Sequence, residues 1–73
     1  MDEYSRIVIE QYCLKNRNTQ KAKKLFRLVR LSYDPGAIGT DADAIYLENV
    51  INREKDQELK TALQELDDYL FGW

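Results

Sequence analysis

Little in this chain can do covalent chemistry, and the gaps narrow its function more than the residues do. Its 73 residues contain no His, which removes imidazole general-base catalysis, His metal ligation and a pH switch near neutrality. Cys13 is the single cysteine, so neither an intramolecular disulfide nor a cysteine zinc cluster can form. Ser5 and Ser32 are the only serines, and without His neither can join a Ser-His-Asp triad. Cys13 lies between Tyr12 and Leu14 and reads as a small buried hydrophobe. Lys15 and Arg17 nearby would favour its thiolate only if the group were exposed.

The carboxylates give no better site. Asp41 and Asp43 are two residues apart at a helix start. They do not converge on one cation, and they suit the positive end of a helix dipole. Asp67 and Asp68 are adjacent and so diverge by about 100° on a helix, which makes them a solvated face rather than an acid–base pair. The stretch Asp34-Pro35-Gly36 to Gly39 holds two glycines, but lacks the Gly-Lys-Ser/Thr end of a phosphate-binding loop. The expectation is a non-enzymatic protein with no catalytic residue, no cofactor and no metal ligand set.

The informative feature is charge. The chain carries −2 overall, unevenly spread. Between residues 15 and 33 lie Lys15, Arg17, Lys21, Lys23, Lys24, Arg27 and Arg30 with no acid. Residues 34–73 are strongly acidic, with only Arg53, Lys55 and Lys60 as cations. Lys23, Arg27 and Arg30 recur at three- and four-residue spacing, so they share one helix face and are the candidate partner-binding residues. That face can meet the chain's own acidic segment, an acidic partner protein, or a phosphate backbone. A sequence pI near 5.0 weighs against nucleic acid. So do Phe26 and Tyr33, which fall on the apolar face and away from bases. A nucleic-acid-binding regulator that uses helix 19–33 is therefore the alternative. A small protein–protein interaction module, acting as a regulator, adaptor or inhibitor, is the main reading.

Three elements must position these residues. In 19–33, Ala22, Leu25, Phe26, Val29 and Tyr33 recur with helical period, and Asn18 or Thr19 can cap the start. In 3–15, Tyr4, Val8 and Tyr12 form a stripe widened by Ile7 and Leu14, although Ile7-Val8-Ile9 is β-branched and would also suit a strand. Helix is preferred there, because no second alternating segment offers a partner. The stretch 41–71 opens with Thr40 as N-cap and Asp43 three positions on. Its polar middle, 52–58, has no Gly or Pro, and the apolar phase is kept across it. The predicted architecture is all-α and a single domain over 1–73. It comprises a helical hairpin, a Pro/Gly loop and a long acidic C-terminal helix, or a four-helix mini-bundle if that helix breaks near 52–56.

A continuous helix of that length would span about 46 Å, whereas a globule of this size is roughly 29 Å across. An unbroken helix would therefore leave Leu59, Ala62, Leu66, Tyr69 and Trp73 as an uncovered stripe. A homodimer seam along that stripe is the expectation that follows. No segment reaches the ~20 apolar residues of a membrane span. The acidic start, Met1-Asp2-Glu3-Tyr4, is unlike a secretory signal. With one cysteine, these features point to a cytoplasmic protein without membrane contact.

Overall fold

A computed structural model describes residues 1–72. It contains four helices: α1 (Glu3–Lys15), α2 (Gln20–Leu31), α3 (Asp41–Arg53) and α4 (Gln57–Phe71). No strand occurs among the described residues. Helix α1 packs against both α2 and α4, and α3 packs against α4. The principal extents are 28 × 22 × 22 Å.

Each helix starts on a side chain able to accept from orphan backbone N–H groups. Asp2 caps α1, Thr19 caps α2 and Thr40 caps α3. Thr40 and Asp43 form the full reciprocal box. The Asp43 N–H donates to Thr40 Oγ1 at 3.1 Å, and the Thr40 N–H donates to Asp43 Oδ2 at 3.2 Å.

The long C-terminal helix favoured by the sequence is broken, and the bundle has four helices. The break falls at Glu54–Asp56. Glu54 turns to extended geometry as the C-cap of α3, and Asp56 caps α4 by accepting from the N–H groups of Glu58 and Leu59. Glu54 also holds the corner: its Oε2 accepts the Asp56 N–H at 3.1 Å, and its Oε1 pairs with Lys21 at 3.2 Å. A helix can thus be stopped without Gly or Pro when an Asp is placed to start the next one. The break answers the length problem, because α4 folds back where a 46 Å rod would have projected.

Folding back buries the stripe assigned to a dimer. Leu59, Ala62 and Leu66 belong to the core, together with Leu63 and Leu70. These three residues are covered within one chain and offer no homodimer seam. Tyr69 stays on the surface at 44% exposure, and Trp73 lies outside the described residues.

Helix α1 is rotated from the face expected of it. Ser5, Ile9 and Cys13 point inward, while Tyr4, Ile7 and Leu14 are exposed. Packing between α2 and α4 decides the rotation, since α1 itself is barely amphipathic. The Ser5 hydroxyl and the Asp2 N–H both donate to the Glu65 carboxylate on α4. The Tyr4 hydroxyl donates to Glu58. Polar anchors thus fix a helix that apolar patterning leaves undecided, and its surplus apolar residues remain outside.

The α2–α3 loop does not use its glycines for left-handed backbone, since no described glycine has positive φ. Gly39 is small for another reason. A Cβ there would lie 2.5 Å from ring atoms of Phe71, so any larger residue would require the Phe71 ring to shift. No helix among the described residues is long and apolar enough to cross a membrane.

Candidate functional site: the outer face of the α1–α2 hairpin

The basic residues of α2 divide into two groups with different surroundings. The first group faces α3. Arg27 pairs with both oxygens of Asp43, Lys21 pairs with Glu54, and the Lys24 ammonium sits 4.8 Å from the centre of the Tyr46 ring. The Arg27 guanidinium is the main reason the Asp43 carboxyl is held below the usual carboxylate range, with the Thr40 N–H and hydroxyl adding to it. Arg27, expected to bind a partner, is therefore engaged inside the chain. Its acid is Asp43, not Glu65, Asp67 or Asp68.

The second group is Lys23 and Arg30, joined by Arg17 from the α1–α2 turn. No carboxylate lies within ion-pair distance of these three among the described residues. Arg17 and Lys23 border a groove on the outer face of the hairpin, about 410 Å³ in volume. Leu14 and Phe26 form its walls, Cys13 and Ala22 its floor, and Glu10, Arg17 and Lys23 its rim. Leu14 is 65% exposed and Phe26 43%, so apolar area lies open beside unpaired cations. Glu10 continues the groove into a second hollow of about 560 Å³ with Arg30, Tyr33 and Asp34.

Phe26 and Tyr33 are both exposed, contrary to the sequence expectation that they sit on the buried face of α2. The inward arc of α2 is taken by Ala22, Leu25, Leu28 and Val29, which leaves the two aromatics at its edge. Tyr33 is already occupied. The Arg6 guanidinium lies 4.5 Å from its ring centre, and its hydroxyl donates to Glu10 Oε2 at 3.0 Å. Phe26 has only the Arg30 guanidinium over it, at 5.9 Å.

Cys13 closes the bottom of the groove at 4% exposure. Burial, with a smaller contribution from Glu10, pushes its thiol up to about 11. A thiol held protonated in this way is a poor nucleophile. No group of three or more potential metal ligands occurs among the described residues, and no buried side-chain polar atom among them lacks a partner. The arrangement presents a shape-defined apolar surface rimmed by charge, and no activated group.

The outer-face groove was not legible in the sequence, because it depends on the rotation of α1. The available signal was a spread: Tyr4, Ile7, Val8, Ile9, Tyr12 and Leu14 run over more than half the circumference of a helix, wider than one buried face. No protein-family model, curated protein or solved structure matches the chain.

Proposed function

We propose that this protein is a non-enzymatic protein–protein interaction module that docks its partner on the outer face of the α1–α2 hairpin. The observation that carries this reading is the pairing of exposed Leu14 and Phe26 with Arg17 and Lys23, two cations without an ion-pair partner among the described residues, around one groove. Open apolar patches rimmed by polar residues mark binding surfaces, and aromatic and Arg side chains are the usual anchors there. With no His in the sequence, no Ser–His or Cys–His pair competes with this reading.

Nucleic acid remains the second reading, because Phe26 stands exposed between Lys23 and Arg30 and could stack on a base. Three features weigh against it. Glu10 lies on the rim of the groove, the Tyr33 ring is already covered by Arg6, and the acidic α3 would repel a phosphate backbone.

A photo-crosslinking amino acid separates the two when placed at position 26, with position 45 as a control. Ile45 is an exposed residue of α3. Crosslinks to protein from position 26 alone support the docking face. Crosslinks to nucleic acid, or equal crosslinking from both positions, overturn it.

A further inference from the structure

The groove has a shape and a charge that select among protein partners, and this inference rests on the docking face proposed above. We infer that its occupant is an acidic amphipathic helix. That helix lays an apolar stripe between Leu14 and Phe26 and points carboxylates at Arg17 and Lys23.

A helix is favoured over an extended segment by backbone accounting. The groove walls are two helices whose N–H and C=O groups are already used within each helix. They offer no strand edge to pair with. An extended peptide pressed onto Leu14, Cys13 and Phe26 would bury polar backbone against apolar side chains with no return. A helix brings its own hydrogen bonds and would add a third rod to the hairpin. Helix α1, with 13 residues, is about 20 Å long, so an occupant of about 14 residues would run the length of the face. The hollow of about 410 Å³ is large enough for one bulky apolar side chain.

The charge selects an acidic helix. Arg17, Lys23 and Arg30 face the two hollows without an internal acid. Two carboxylates also line the hollows: Glu10, which accepts the Tyr33 hydroxyl, and Asp34, whose Oδ1 accepts the Gly36 N–H at 3.0 Å; neither bond cancels their charge, so the positive surplus lies at the first groove, where Arg17 and Lys23 face Glu10 alone. A basic helix would leave these cations facing like charge, whereas an acidic one would pair them at the rim while its apolar stripe fills the floor. Cys13 beneath the anchor gives an independent report of where the helix sits.

The test uses the full chain and a fluorescent, stapled helical peptide of about 14 residues. The peptide carries Leu at three- and four-residue spacing and Glu at the flanking positions. A second peptide replaces every Glu by Lys, and single-stranded and duplex DNA oligonucleotides complete the set. Anisotropy should show the Glu peptide binding at least ~10-fold more tightly than the Lys peptide. The Glu peptide should also slow alkylation of Cys13. Phe26→Ala should abolish its binding. Arg17→Glu with Lys23→Glu should reverse the preference toward the Lys peptide, an outcome that a merely structural role for these cations could not produce. Circular dichroism of each variant confirms that the helices remain.

Equal binding of the two peptides, no binding of the Glu peptide, or tighter binding of DNA overturns the acidic-helix inference. If position 26 still crosslinks to protein while the peptides fail, only this inference falls and the docking face stands. If position 26 crosslinks to nucleic acid, both fall.

Discussion

Replacing Asp43 by Ala removes one carboxylate that serves two parts of the fold. In the native chain Asp43 accepts the Thr40 N–H, completing the capping box of α3, and pairs with Arg27 of α2. Loss of the capping contact costs about 0.5–1 kcal/mol, at the low end for caps because the Thr40 side chain remains. Loss of a negative charge in the first turn costs about 0.3–1 kcal/mol. The ion pair adds about 0.2–1 kcal/mol, discounted toward the lower figure because the Arg27 side chain is 56% exposed. The sum is about 1–2 kcal/mol. A domain of this size has only ~3–5 kcal/mol to lose. At about 4–8 °C per kcal/mol, Tm should fall by about 4–16 °C.

Arg27→Gln alone removes only the pair and should shift Tm by less than about 5 °C. A double-mutant cycle between the two positions isolates the coupling. The pH dependence is a further check. The carboxyl of Asp43 is held below its unfolded value by Arg27 and Thr40. Its contribution is therefore present above the unfolded pKa and is lost as pH falls through the folded one. The gap between wild type and Asp43→Ala should narrow on acidification. Thermal melts followed by circular dichroism measure all of this. A variant that melts within ~2 °C of wild type at neutral pH, or a gap that does not change with pH, refutes the assignment of a double role.

Lys23→Gln and Arg30→Gln should leave Tm within about 2 °C, since neither side chain has an acid to lose. Leu66→Glu should unfold the chain, because it places a charge in a core position with 0% exposure; a folded, soluble variant by circular dichroism would contradict that burial. Asp67→Asn should raise Tm at neutral pH, because burial first and then Asp68 and Glu48 hold the Asp67 carboxyl above its usual range; an unchanged or lower Tm would refute the strain. Cys13 should react with iodoacetamide slowly at pH 8 and much faster in denaturant. Raising pH from about 9 toward 11 should destabilise the fold, because the folded state binds the thiol proton more tightly than the unfolded one does.

The parts of the fold that local signals dictate were legible in the sequence, and the parts that depend on packing were not. Thr19 and Thr40 announce α2 and α3 as caps, and the 3.6-residue period of Ala22, Leu25 and Val29 reports the buried side of α2 directly. The break at Glu54–Asp56 had a local signal in Asp56, but that signal was outweighed by good helix formers and by an apolar phase that matched across the gap. A helix of about 46 Å does not fit a molecule 28 Å long, and a fold-back cures the mismatch within one chain. The rotation of α1 had no such arithmetic. Its orientation is set by Ser5, Tyr4 and Asp2 bonding to α4, contacts more than fifty residues apart in sequence. The groove, which consists of what that rotation leaves outside, was invisible for the same reason. The basic face was half legible. Spacing groups Lys23, Arg27 and Arg30 together, but only the position of α3 shows that Arg27 is engaged and the other two are not.

The central claim is that the outer face of the α1–α2 hairpin is where another protein docks. Affinity capture from the native host, with mass spectrometry, tests it most directly when wild type is compared with Phe26→Glu and Ile45→Glu. Both positions are exposed, so both variants should fold, and circular dichroism checks this. The account predicts a defined set of proteins that is lost with Phe26→Glu and retained with Ile45→Glu. An identical set from all three, or loss with Ile45→Glu alone, would contradict it.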